Sequence, residues 1–394
     1  MNKIKKNVLY VGGFELPDKN AAAQRVLANG KLFNKLGYDV SFLGVNTDQK
    51  ETKNHKKLLN VDNFEFNSWK QEYPKSYLDW IYFLTDINLV KRIVEDEYNS
   101  NLDFIVVYNY PSTALLKLIY YCKKKNIKLV ADVTEWYQPK GNIIFRIIKG
   151  LDSFLRMRIL HKKMDGIIAI SKYLFEYYEK SNRIQLPPLI DKKSAKWEGI
   201  KLSKCNIRKI VYVGSPGNGL KDRLDRVLLS LSRIKDDINE FDFSIVGISK
   251  EEYLNNFGVN SIPNNLLTNV IFEGRKSHNE AIEIIKAADY SIFLRDNNLV
   301  NLAGFPTKFV ESITCNTPVL TNSVSNIKDF LKNGELGYLI DNSTDERLDK
   351  SLVLALNQNI EKINYMKREC FLFNEFHYEY YENKVQQFLC NLNS

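Results

Sequence analysis

Between residues 7 and 345, short and almost uninterrupted apolar runs alternate with longer amphipathic stretches, and the alternation occurs twice. In the first half the runs lie at 8–11, 40–43, 104–108, 128–133 and 166–170, with the clearest helical stretches at 21–36 and 112–125. The second half repeats the rhythm with runs at 209–213, 243–246, 270–272, 290–294, 318–321 and 337–340. Strands that are apolar on both faces and separated by helices predict a parallel sheet covered on both sides. Two such series predict an α/β chain of two doubly wound domains, as a length of 394 residues also suggests. Pro187-Pro188 stops the first series, and a polar, lysine-rich stretch follows over 191–208. The expected division is therefore 1–190, 191–370, and a closing segment 371–394 that returns to the first domain. The aromatic-rich stretch 365–393 is expected to be helical.

Composition excludes several classes. With 44% hydrophobic and 26% charged residues, the chain is neither disordered nor collagen-like. Cys122, Cys205, Cys315, Cys370 and Cys390 never form a Cys-x-x-Cys pair, which argues against a disulfide framework or zinc site and for a reducing compartment. The opening apolar run, 7–12, is too short for a signal-peptide core, and no run approaches the length of a membrane span. The expected location is the cytoplasm. The net charge of +9 favours anionic partners, whether phosphates, lipid or nucleic acid, without choosing among them.

Several segments could carry chemistry. Gly12-Gly13 ends the first strand, and a helix begins near Asn20-Ala-Ala-Ala-Gln-Arg25. Such a loop is either a tight turn or a place where backbone and helix N-terminus meet an anion; the dinucleotide spacing G-x-G-x-x-G is absent. The second half opens with Val-Gly214-Ser215-Pro-Gly-Asn-Gly-Leu-Lys221-Asp, a flexible turn or a phosphate loop, but not one ending in Gly-Lys-Ser/Thr. In Ala303-Gly-Phe-Pro-Thr307-Lys308-Phe-Val-Glu311, Pro306 suits the first turn of a helix. Lys308 and Glu311 share one face, as a solvated pair or as groups facing phosphate and ribose. Ser277-His-Asn-Glu280 is a capping box for a helix over 279–287. Asp132 and Glu135 follow a strand, where open parallel sheets bind ligands. His55, His161, His278 and His377 have no metal-ligand spacing, and no G-x-S-x-G elbow occurs.

Residues 145–163 hold Arg146, Lys149, Arg156, Arg158, Lys162 and Lys163 against the single acid Asp152. A basic amphipathic helix either covers the sheet with a solvated edge or lies on anionic lipid; the one-sided charge favours lipid.

The segment from Gly304 to Thr321 resembles the donor-site helix of family-4 glycosyltransferases, particularly a subgroup from bacterial surface-polysaccharide clusters. Glu311 matches the second of that family's two glutamates, and Cys315-Asn-Thr-Pro-Val matches its ending with Asn316 for glycine. Ala303 stands where the first glutamate belongs. Gly12-Gly13, the run from Asp165 to Ser171, Gly214-Ser215 with Lys221, and Gly274-Arg275 fall in the family's order, with Ser215 where arginine is usual. Thr134-Glu135 stands where a histidine is frequent.

The resemblance implies two Rossmann-like domains facing a cleft (the GT-B type) and a retaining transferase using a nucleotide sugar without a metal. Gly214, Ser215, Lys221, Arg275, Thr307, Lys308 and Glu311, with Gly13 opposite, would bind the donor. Lys221 and Lys308 would hold the diphosphate, and Glu311 the ribose. Asn20, Arg25, Asp132 and Glu135 would face the acceptor, a saccharide or lipid-linked saccharide at the inner membrane surface. Glu135, Lys221 and Glu311 are the expected catalytic residues, and no nucleic acid is expected as partner. A nucleotide-sugar 2-epimerase of similar architecture, or an inactive nucleotide-sugar binder, is the alternative.

Overall fold

The computed structural model describes residues 6–17, 20–47, 56–137, 143–216 and 221–393. Residues 217–220, part of the glycine-containing loop, lie outside the described residues. The chain divides into two units: Met1–Asp191 with His377–Ser394, and Lys192–Phe376.

The first unit runs β1 (Lys6–Gly12), α1 (Ala21–Lys35), β2 (Tyr38–Asn46), β3 (Lys57–Val61), β4 (Phe64–Glu72), α2 (Tyr77–Thr85) and α3 (Asn88–Tyr98). It continues with β5 (Phe104–Tyr108), α4 (Ser112–Lys125), β6 (Lys128–Val133), α5 (Ile143–Leu155), β7 (Gly166–Ala169), α6 (Lys172–Tyr177) and β8 (Arg183–Gln185). The sheet order is β3-β4-β2-β1-β5-β6-β7-β8, parallel throughout except for β3–β4. Strands β5 and β7 are buried at every position, as a doubly covered parallel sheet requires.

The antiparallel edge pair was not expected from sequence. It turns through Asp62 and Asn63, at φ 49° and 64°, the left-handed pair a two-residue hairpin demands and these two residue types tolerate. β3 is mostly exposed, so it lacks the apolar run that marks the inner strands.

The second unit runs β9 (Arg208–Val213), α7 (Leu224–Arg233), β10 (Phe241–Val246), α8 (Lys250–Phe257), β11 (Val270–Gly274), α9 (His278–Ala287) and β12 (Tyr290–Phe293). Then come α10 (Leu299–Ala303), α11 (Thr307–Thr314), β13 (Val319–Thr321), β14 (Gly337–Leu339), α12 (Asp345–Leu356) and α13 (Ile360–Leu372). All pairings in its sheet, β11-β10-β9-β12-β13-β14, are parallel. Ser277 caps α9 as its box predicts, accepting from the Glu280 N–H while the Glu280 carboxylate accepts from the Ser277 N–H.

The closing stretch is not one helix. After α13 the chain leaves helical geometry, and Phe376 packs its ring against Phe305, Phe309, Phe330 and Phe373. Burying that aromatic side chain is worth about 1.5–3 kcal/mol, which offsets the helical bonds given up at about 0.5–1.5 kcal/mol each. The next residue belongs to the first unit, where the Tyr378 N–H donates to the Ile190 carbonyl and α14 (Glu382–Asn393) joins the core around β1 and β5.

Residues 145–163 also depart from a single helix. α5 ends at Leu155, and a π-helical turn, Arg156–Leu160, and a short 3-10 turn follow.

Candidate active site

In the second unit the strand order reverses between β9 and β12, the switch point at which open parallel sheets take ligands beyond their carboxyl ends. The chain leaving β9 reaches Gly214 at φ 117°, and the chain leaving β10 reaches Gly247 at φ 102°. Both conformations favour glycine, and space demands it too. A Cβ on Gly247 would stand 2.8 Å from the Gly214 carbonyl carbon, and one on Gly214 would stand 2.7 Å from Cε of Lys308. Lys308 therefore lies over bare backbone.

The lysine is held there by groups that sequence alone did not single out. Backbone pairing of Asp222 with Arg295 brings the Asp222 carboxylate, 2% exposed, beneath the end of β12. The Arg295 Nε donates to Asp222 at 2.7 Å, the Tyr212 hydroxyl donates to it at 2.9 Å, and the Lys308 ammonium bonds both Asp222 and, at 2.8 Å, the Tyr212 oxygen. Asn322, at the end of β13, fixes Arg295 by accepting from its N–H and donating to its carbonyl. Burial raises the carboxyl pKa of Asp222, but Lys308 and Arg295 outweigh it and hold the group well below the usual range. Lys308 and Arg295 together set two cations against the single carboxylate of Asp222, in largely buried surroundings. The sequence signal for Arg295 was its place two residues beyond the parallel strand β12; Asp222 lies nine residues beyond β9.

Lys308 is thus no solvated partner of Glu311, whose carboxylate accepts no hydrogen bond from the described residues. Burial pulls the Lys308 ammonium down to about 8 against the opposing pull of Asp222. Burial likewise pushes the Glu311 carboxyl up to about 7, with Lys308 and Lys196 pulling the other way. Glu311 is half-buried on the same helix face as Lys308, and Lys196 is a further neighbour that the sequence reading did not include.

Other expected residues are scattered. Thr307 opens α11, directly after Pro306. Ser215 and Lys221 are exposed on either side of the undescribed loop segment, and the Lys221 N–H donates to the Pro216 carbonyl. Lys221 precedes its helix by three positions rather than opening it. Arg275 lies beyond the edge strand β11, its side chain 84% exposed and paired with Glu252 at 3.4 Å. Ala303, at the place of the missing glutamate, is fully buried.

In the first unit the order reverses between β1 and β5. Gly13 stands exposed there, with no atom within 4 Å of where a Cβ would be. Beyond β5 and β6, Asn109 donates to Thr134 Oγ1 at 3.1 Å and to Glu135 Oε1 at 3.2 Å, leaving Glu135 half-buried at the strand ends.

Three residues expected to face an acceptor do other work. Asp132 lies within β6, not after it, and is 1% exposed; Arg25 is 3% exposed. The Arg25 Nη2 meets Asp132 at 2.7 Å, and its Nη1 donates to the Leu186 and Pro187 carbonyls. A buried guanidinium needs every donor matched, and this one is spent tying α1 to β6 and to residues 186–187. Asn20 accepts from the Ala23 N–H at 2.8 Å and caps α1.

Residues 206–369 match the family profile described as "Glycosyl transferases group 1". That segment is similar to group 1 glycosyltransferase domains. Its range takes in the whole of the Tyr212–Asp222–Arg295–Lys308 cluster and Glu311. Among solved structures, a sucrose-phosphate synthase from Thermosynechococcus elongatus superposes with a TM-score of 0.67 at 14% identity, over 98% of this chain and 99% of that one. A glycosyltransferase from Rickettsia africae gives 0.67 at 14% identity, over 99% of both chains. An Anabaena protein in complex with UDP and glucose gives 0.61 at 12%, over 98% and 99%. At these identities the likeness establishes the fold, two Rossmann-like domains as in GT-B glycosyltransferases, and not the substrates. Comparison with curated proteins found no match.

Proposed function

We propose that this chain is a retaining glycosyltransferase moving a sugar from a UDP-sugar to a saccharide or lipid-linked saccharide in bacterial surface-polysaccharide synthesis. The observation that carries the reading is Lys308, set over the bare backbone of Gly214 by Asp222 at the switch point of a domain similar to group 1 glycosyltransferases. A diphosphate lying along Gly214 meets that ammonium, with the α11 N-terminus and Lys221 adding positive charge. Glu311 accepts from the ribose hydroxyls, and Ser215, Thr307 and Arg275 serve the phosphate and base ends of the donor. When the sugar–phosphate bond breaks, negative charge grows on the leaving UDP, and preformed protein cations stabilise it without a metal ion. Gly13 and Glu135 face the acceptor side. The UDP choice draws support from the Anabaena neighbour, described with UDP and glucose. Residues 145–163 hold the protein at the anionic inner membrane surface, where a lipid-linked acceptor lies.

The test is a panel of UDP-, GDP- and dTDP-sugars incubated with purified protein, with and without bacterial lipid extract, and read by mass spectrometry. Lipid-dependent UDP release from one donor, lost in Glu311→Ala and Lys308→Gln, is the expected result. Conversion of donor without lipid would make the chain an epimerase instead. Failure of every nucleotide to bind would remove the donor site.

A further inference from the structure

The outer helices of the first unit leave an apolar face uncovered. α2 buries none of its residues, and Tyr77, Leu78 and Tyr82 are 80%, 66% and 68% exposed. Trp80 and Phe83 turn toward Tyr73, with ring centroids 5.5 Å and 6.1 Å from it. The helix thus has an inner aromatic seat and an outer stripe of Tyr77, Leu78, Ile81 and Tyr82 at helical spacing. It is firmly held. Ser76 and Asp79 form a capping box at its start, and Lys117 of α4 donates to the Thr85 carbonyl at its end, at 2.7 Å.

α4 packs against both α2 and α5, and its own exposed stripe carries Leu116 and Tyr120. On α5, Ile147, Ile148, Leu151 and Phe154 are all exposed. Along α5 and the turns that follow it, the exposed charge has one sign. Asp152, the acid of the segment, is turned inward, accepting from the Ser112 N–H at 2.7 Å and pairing with Arg156. Arg146, Lys149, Arg158, Lys162 and Lys163 stay exposed.

Apolar surface beside several exposed cations suits one kind of partner. A second copy docking face to face would set the same cations against each other. No described helix is long and apolar enough to cross a bilayer, so the surface would lie on one. We infer that α2, α4 and α5 together form a docking face for an anionic lipid bilayer, α2 supplying the inserted side chains and α5 the electrostatic attraction. Tyrosine beside aliphatic residues suits the headgroup boundary, where a ring is buried and its polar edge stays wet. The inference rests on the membrane contact proposed for residues 145–163 and adds α2 and α4 to it.

The experiment is co-sedimentation of the full chain with phosphatidylcholine vesicles, with and without phosphatidylglycerol, for the parent protein and for Leu78→Ser/Ile81→Ser/Tyr82→Ser. A second variant, Arg146→Gln/Lys149→Gln, isolates the charge. The parent is expected to bind the anionic vesicles, and the α2 variant to bind about tenfold more weakly or worse, with circular dichroism and UDP binding unchanged. The charge variant is expected to weaken binding and to lessen its salt dependence. Brominated lipid should quench Trp80 in the parent protein, assigned against Trp80→Phe; this reads α2 even if the triple variant folds poorly.

Unchanged binding by the α2 variant together with unquenched Trp80 would overturn the inference while leaving the contact through 145–163 intact. No binding of the parent to either vesicle would overturn both. A concentration-dependent dimer abolished by the α2 substitutions would give the face to a second copy instead.

Discussion

Asp222 holds three side chains at once, and its removal tests the site most directly. Asp222→Asn takes away the carboxylate that neutralises Lys308 and Arg295, leaving two buried cations to repel each other. Breaking such a pair by removing one partner is expected to cost about 3–5 kcal/mol in denaturant unfolding, well beyond the effect of a surface exchange. The neighbouring titrations predict a pH profile for nucleotide affinity. Glu311 must be ionised to accept from ribose, so affinity should rise through about 7; Lys308 must be protonated to meet phosphate, so affinity should fall above about 8. Calorimetric titration with UDP is expected to give a narrow maximum between these values. Glu311→Gln should remove the acid limb and Lys308→Gln the alkaline one; a flat profile in the parent chain would separate both groups from the nucleotide. Stability of the free chain runs the opposite way. The raised Glu311 pKa contributes stability present below 4.5 and lost as pH rises through about 7. The lowered Lys308 pKa contributes stability present above 10.5 and lost as pH falls through about 8.

The turn after β9 concentrates the backbone's share of the site. Gly214→Ala puts a methyl 2.7 Å from Cε of Lys308 in a conformation, φ 117°, that side chains rarely adopt. The expected cost is on the order of 1–3 kcal/mol of stability together with weakened UDP binding, measured by thermal unfolding and calorimetry. Full nucleotide affinity with only a stability loss would show that Lys308 need not lie there. The end of α11 explains a departure from the family pattern: Asn316, where glycine is usual, sits at φ 61°, and asparagine is among the side chains that accept this region.

Legibility followed burial. Inner strands such as β5 and β6 announce themselves because both faces are apolar, and α9 because its capping box is local in sequence. The β3–β4 hairpin did not, since its signal is two residues at positive φ beside an exposed strand. The π-helical turn after α5 has no local signature at all. It coincides with the burial of Arg156, set over the Tyr137 ring, and of Met157, whose carbonyl accepts from the Tyr178 hydroxyl.

The closing segment is what makes the first unit discontinuous in sequence. Tyr381, Val385, Phe388, Leu389 and Leu392 are buried in the core with β1, β5 and α1, and a Cβ on Gly166 would already stand 2.7 Å from the Phe388 ring. At about 1.5–3 kcal/mol for each buried side chain, these five supply roughly 7–15 kcal/mol, comparable to the whole net stability of a domain. A chain stopped after Phe376 should therefore lose the cooperative unfolding of the first unit in calorimetry while the second unit keeps its own transition. Two intact transitions would contradict that assignment.

Sequence alone determined most of the parallel strands of the two sheets, several of their helices, the glycine turn after β9 and the Lys308–Glu311 face, because each is written in local periodicity or a short motif. It also allowed Arg25 and Asp132 to look like ligand residues and Lys308 to look solvated. Only the tertiary structure decided these roles: a charged side chain's function depends on which distant partner burial brings to it. For Arg25 that partner is Asp132, 107 positions away, and for Lys308 it is Asp222, 86 positions away. No periodicity spans such distances; the requirement that buried charges be paired does.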